Sequence, residues 1–136
     1  MENAKILIVD DDPDIRDSLQ AILETRQYTV FTAGDSVEGI AKIKTERPDL
    51  LILDVMMTTW QEGFEMARKL KKDPQFRDIP ILMLTAARDK TGIDFESTAG
   101  DPTLCPVEGF LDKPVDPVVL VLEIERIFSK KAQEES

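Results

Sequence analysis

The chain has 136 residues, 42% hydrophobic and 32% charged, which fits one globular domain, and no second folded output domain is expected. With 17 Lys and Arg against 27 Asp and Glu the formal net charge is -10, a field that opposes nucleic acid and anionic lipid, so direct nucleic-acid binding is not expected. The longest apolar runs fall far short of the roughly 18 residues of a membrane span, and Met1-Glu2-Asn3 is no basic leader, so a cytoplasmic protein without membrane insertion is expected.

Lys5 to Val9 is a continuous apolar run closed by Asp10-Asp11-Asp12-Pro13, the pattern of a strand buried on both faces that ends in a loop. Ile15, Leu19, Ile22 and Leu23 then share one helical face, with Asp12 as N-cap and Pro13 in the first turn, predicting a helix to about Thr25. Tyr28 to Ala33 is rich in β-branched and aromatic residues and reads as a second strand. Asp35 with Glu38 three positions on opens a helix that must end near Pro48. Leu50 to Leu53 repeats the opening pattern and stops at Asp54, and a helix is expected from about Phe64 to Lys72. Ile79 to Leu84 is a fourth strand ending at Thr85, with Pro80 where a missing donor is tolerated, and Phe110 to Leu111 a short fifth strand leading into Asp112-Lys113-Pro114. Asp116-Pro117 opens a last helix, Val118 to about Phe128, and a polar tail follows that is expected to fray, with the domain spanning 4–130 and the tail 131–136. Strands alternating with helices argue for a parallel sheet covered on both faces.

In open α/β sheets the chemistry sits beyond the carboxyl ends of the strands, and there the chain places Asp10, Asp11, Asp54, Thr85 and Lys113. Each alone reads as a cap or turn former. Together, three carboxylates, a hydroxyl and an ammonium converge if the strands are neighbours. Two carboxylates about 4 Å apart repel by on the order of 4 kcal/mol at an effective dielectric of 20, so a cation or protons must relieve them. Cys105 is alone and the chain has no His, which excludes an internal disulfide, a His-ligated zinc site and a His-based triad. Oxygen ligands favour a hard ion, and Mg2+ fits best because it takes one or two carboxylates and shares a phosphate oxygen. A carboxylate beside such an ion is a nucleophile toward phosphorus, with Thr85 and Lys113 placed to contact the transferred oxygens.

Val9-Asp10-Asp11-Asp12-Pro13, Asp54 within Leu53-Asp54-Val55-Met56-Met57, Thr85-Ala86 and Lys113-Pro114 together resemble the receiver domain of bacterial two-component response regulators of the chemotaxis-regulator type, over about residues 4 to 130. The resemblance implies a three-layer, doubly wound, flavodoxin-like fold with five parallel strands in the order 2-1-3-4-5. It implies that Asp54 is the phosphoacceptor, that Asp11 and Asp54 ligate Mg2+ directly with the Met56 carbonyl, and that Asp10 acts through water. A sensor histidine kinase or a phosphotransfer protein is the implied donor. Thr85 and Phe110 are the implied switch pair, Phe110 swinging inward when Thr85 turns toward the phosphoryl group; Phe110 reads equally well as a fifth-strand core residue.

Val118 to Leu122 is apolar throughout, more than one buried face requires, so homodimerisation or docking of a separate downstream protein is expected there. The chain departs from the family pattern at Thr58, where Pro is usual, at Trp60 in a loop that reaches Gly63 one residue late, and in a long stretch between Thr85 and Lys113. A short or displaced helix is expected between Lys90 and Ser97. Met56 and Ala87 carry no group able to orient a water, which predicts a phosphorylated form that is not unusually short-lived. An aspartyl-phosphate phosphohydrolase would place a second Asp where Met56 stands, and Asp89-Lys90-Thr91-Gly92-Ile93 matches an ion-pump motif only by chance in a chain without a span. A receiver-like binding module that is not phosphorylated is the other alternative, opposed by the complete acidic, hydroxyl and lysine set.

Overall fold

The computed structural model describes residues 4–54, 60–85, 107–113 and 115–135, apart from the side chains of 60–62, 64, 85 and 132–135. Nine elements alternate along it: β1 (Lys5–Val9), α1 (Pro13–Glu24), β2 (Thr29–Ala33), α2 (Ser36–Glu46), β3 (Leu50–Asp54), α3 (Trp60–Lys72), β4 (Ile81–Thr85), β5 (Gly109–Asp112) and α4 (Pro117–Glu135) among the described residues. The strands form one parallel sheet in the order β2-β1-β3-β4-β5, as the resemblance implied.

The continuous apolar runs arise because successive side chains of each strand feed opposite layers. Leu7, Val9, Leu51, Leu53, Ile81 and Met83 pack with Ile43 of α2 and Met66, Ala67 and Leu70 of α3. Ile6, Ile8, Leu50, Ile52, Leu82 and Leu84 face the other way, onto Leu19 and Leu23 of α1 and Leu120, Ile124 and Ile127 of α4. Gly39 of α2 lets that helix lie close to the sheet: a Cβ there would stand 2.9 Å from Val9 Cγ2 and 3.1 Å from Met66 Cε.

Local chemistry sets the element ends. Asp12 caps α1 by accepting from the Asp14 amide at 2.9 Å, with Pro13 opening the helix. Asp35 caps α2 by accepting from the Glu38 amide at 2.8 Å, and Arg47 ends it in the left-handed conformation at φ 51. The Asp116 carboxylate accepts from Val118 N at 2.8 Å and Val119 N at 3.3 Å, fixing the start of α4.

Two helix boundaries differ from expectation. The third helix begins at Trp60, ahead of Phe64, because a buried Gly63 is carried within it; the cost of about 1 kcal/mol for a helical glycine does not break an otherwise amphipathic segment. The last helix continues past Phe128 to Glu135, through the residues read as a polar tail, since Lys130 to Glu135 are strong helix formers with no Gly or Pro among them. Thr58 and the helix expected between Lys90 and Ser97 lie outside the described residues, as do Met56, Ala87 and Cys105. No helix among the described residues is long and apolar enough to cross a membrane.

Candidate functional site

The register of the sheet brings the strand-closing residues together. Val9 pairs with Ala33 and Leu53, Asp54 with Leu84, and Thr85 with Asp112, so Asp10, Asp54, Thr85 and Lys113 stand side by side at one edge of four adjacent strands. Asp10 and Asp54 are almost wholly buried, 0% and 1% exposed, whereas Asp11 is exposed. Asp10, Asp11 and Asp54 each offer a carboxylate oxygen within 4.8 Å of the others.

A single ammonium spans the two buried acids. Lys113 Nζ lies 3.1 Å from Asp10 Oδ2 and 3.2 Å from Asp54 Oδ1, with the lysine side chain 18% exposed. Burial acts to lower the lysine pKa, but the charges of Asp54 and then Asp10, with hydrogen bonds to both, outweigh it and hold the ammonium above its ordinary value. The other oxygen of Asp10 accepts from the Asp12 amide at 2.9 Å, and the Asp10 amide donates to Ala33 O at 3.1 Å. Asp10 is therefore fixed at backbone and side chain alike.

One positioning contact carries no mark in the sequence. Arg16 Nη1 donates to the Asp10 carbonyl at 2.6 Å, so the guanidinium clamps the peptide that carries two of the acids. Gly34 makes room for it, since a Cβ there would come within 3.2 Å of Arg16 Nη1. The only available signal is that Arg16 is the sole basic residue of α1.

Among the described residues, three carboxylates against one ammonium leave the pocket short of positive charge, and every candidate ligand atom is oxygen. That donor set fits a hard divalent cation and suits neither a soft nor an imidazole-preferring metal. Of the other predicted site residues, Thr85 occupies the end of β4 by its backbone, and Phe110 of β5 is partly buried against the cluster that holds Met83 and Leu53. The Met56 carbonyl lies outside the described residues.

Residues 6–125 match the model of the response regulator receiver domain. The chain belongs to the response regulator receiver family. This receiver is 38% identical over 128 residues to the response regulator PleD of Caulobacter vibrioides, covering 92% of this chain and 26% of that protein. It is 33% identical over 131 residues to the response regulator Rre1 of Synechocystis, covering 96% of this chain and 54% of that one. The chain thus spans between a quarter and about half of these relatives. Among solved structures, a CheY-like response regulator receiver domain protein of Methanospirillum hungatei superposes with a TM-score of 0.81 at 30% identity, over 96% of this receiver and 98% of that chain.

Proposed function

We propose that this receiver is a phosphorylatable switch of a two-component phosphorelay, with residues 4–130 as its working unit and Asp54 as the phosphoryl acceptor. The observation that carries the proposal is the buried Asp54 carboxylate, held beside Asp10 by one shared ammonium at the end of the sheet. An Asp54 oxygen attacks phosphorus of a phosphohistidine, the P–N bond breaks, its electron pair stays with the imidazole, and an acyl phosphate forms on Asp54. The donor is a sensor histidine kinase or phosphotransfer protein in the cytoplasm. Asp10, Asp11, Asp54 and the Met56 carbonyl would hold Mg2+, whose positive charge offsets the crowding of anionic oxygens in the pocket.

Lys113 already stands within reach of Asp54 and keeps its proton, so it supplies a permanent positive partner for the new phosphoryl oxygens. Asp10 keeps Lys113 from swinging out to solvent. The Thr85 hydroxyl meets the phosphoryl group, and the space it leaves is filled by Phe110, which packs but has no phenolic oxygen to exchange a hydrogen bond. This switch acts by changing what it binds and not by turnover. Val118, Val119 and Leu122 are 63%, 47% and 60% exposed, while Leu120 and Val121 between them are buried. The outward three supply the apolar contact for a downstream protein or a second receiver.

Incubation with acetyl phosphate and Mg2+ followed by intact-mass measurement tests the assignment. Wild type should gain one phosphoryl group and Asp54→Ala none. No gain in wild type, or equal gain in both, contradicts it; steady release of phosphate with turnover would instead mark a phosphohydrolase.

A further inference from the structure

The three acids of the pocket are not held alike. Asp10 is tied at every polar group: its amide to Ala33, its carbonyl to Arg16, and its two carboxylate oxygens to the Asp12 amide and to Lys113. Asp54 ends β3 and meets Lys113 at 3.2 Å. Asp11 is exposed, and among the described residues its carboxylate has no hydrogen-bond or ion-pair partner. What restrains it is the peptide from which it hangs. The Asp10 carbonyl, the acyl half of the Asp10–Asp11 peptide, accepts from Arg16 Nη1 at 2.6 Å. Because the peptide unit is planar from one Cα to the next, fixing that oxygen restrains the direction in which Asp11 leaves β1.

Helix stability does not account for this choice of partner. Asp12, Asp14 and Asp17 stand around Arg16 in sequence, all exposed, and an ion pair with one of them would be the ordinary use of a basic residue there. Among the described residues Arg16 pairs with none of them, and its half-buried side chain turns to a neutral carbonyl. The path is kept open by Gly34, just after β2, where a Cβ would stand 3.2 Å from Arg16 Nη1 and 3.9 Å from Cζ. Gly34 does not occupy the left-handed region, so the missing side chain serves this space and not the backbone conformation.

We infer, on the reading of the acidic pocket as the Mg2+ site, that Arg16 seated beside Gly34 is a positioning residue: it sets the Asp10–Asp11 peptide so that Asp11 stands ready to ligate the ion. Charge and position act here with opposite sign, which makes the role separable. A guanidinium beside the pocket repels a divalent cation, so by charge alone its removal should tighten Mg2+ binding. Loss of positioning should weaken binding instead, as removal of an outer partner of a metal ligand does, by about tenfold or more.

Backbone-amide NMR of the whole chain, titrated with MgCl2 in the absence of any phosphoryl donor, reads the affinity. Arg16→Met should raise the Mg2+ Kd by about tenfold, with Arg16→Lys between it and the wild type, because an ammonium can reach for the carbonyl without reproducing the planar fork. Gly34→Val keeps the charge but fills the space beside the guanidinium, and should raise the Kd in the same direction. With acetyl phosphate as donor, the Mg2+ concentration for half-maximal phosphorylation should rise in step with the Kd, while the rate at saturating Mg2+ changes by less than about twofold. A tighter Kd in Arg16→Met would mark an effect of charge alone, and a wild-type Kd in both Arg16→Met and Gly34→Val a contact that only supports the loop; either overturns the inference and leaves the Mg2+ site standing. If Arg16→Met misfolds, Arg16→Lys and Gly34→Val carry the test, and a wild-type Kd in both overturns it. Wild-type protein whose pocket amides do not respond to Mg2+ would refute the reading of the pocket itself, and the role of Arg16 with it.

Discussion

The two ends of the sheet handle charge in opposite ways. At the amino-terminal end two carboxylates near strands are closely matched: Asp49 accepts from the Lys5 amide at 2.8 Å, and Glu108 takes Lys71 on one oxygen and the Ile81 amide on the other. At the carboxyl end two acids that are almost wholly buried, with a third within 4.8 Å, share Lys113. The same parallel architecture supports both arrangements, so the crowding of carboxylates belongs to the residues that close β1 and β3 and not to the fold. A cluster of like charges drawn together at strand ends is where function is expected.

Removing Lys113 should sharpen that contrast most. Lys113→Met leaves Asp10 and Asp54 without their ammonium, and stability in urea at neutral pH with EDTA should fall by about 3 kcal/mol. A loss below about 0.5 kcal/mol would mean that the acids are no less matched than those at the other end. Mg2+ should have the next largest effect: at about 100 times its Kd it should stabilise the wild type by about 2.7 kcal/mol, read as a raised unfolding midpoint that EDTA reverses. Asp54→Ala should weaken that response, and an equal response in both would place the ion elsewhere.

Alkaline titration isolates the lysine. Its folded pKa lies above the ordinary 10.5, so its contribution is fully present below the unfolded value and is lost as pH rises through the folded one. The stability gap between wild type and Lys113→Met should therefore hold steady up to about pH 10 and close above about 10.5. Tyr28, raised by burial and by Glu125 against Arg26, loses stability in the same direction but is common to both proteins and cancels from the gap. The smallest stability effect is expected on the outer face of α4. Val119→Lys and Leu122→Lys should each change stability by within about 0.5 kcal/mol while abolishing self-association or target binding, measured by sedimentation and pull-down. Unchanged association would remove this face from the account.

Much of this was legible in sequence because it is written in short-range patterns. The strands are apolar runs, the caps at Asp12 and Asp35 precede helical periodicity, and Asp10, Asp54, Thr85 and Lys113 are the polar residues that end those runs. The exposure of part of Val118 to Leu122 also followed from there being more apolar side chains than one face can bury. What escaped depends on distant approaches that have no period. Arg16 reaches the Asp10 carbonyl through space that Gly34 leaves open, and Lys71 meets Glu108 across a separation of 37 residues. The early start of α3 was hidden because Gly63 reads as a break when taken alone, and the reach of α4 because a polar run of helix formers reads equally as a tail.

Peptide mapping by mass spectrometry after acetyl phosphate and Mg2+ treatment, with the acyl phosphate trapped by borohydride reduction, bears most directly on the central claim. Modification confined to the peptide containing Asp54, and localised to that residue, is the predicted result. Stable modification of another side chain, with Asp54 recovered unchanged, would contradict it.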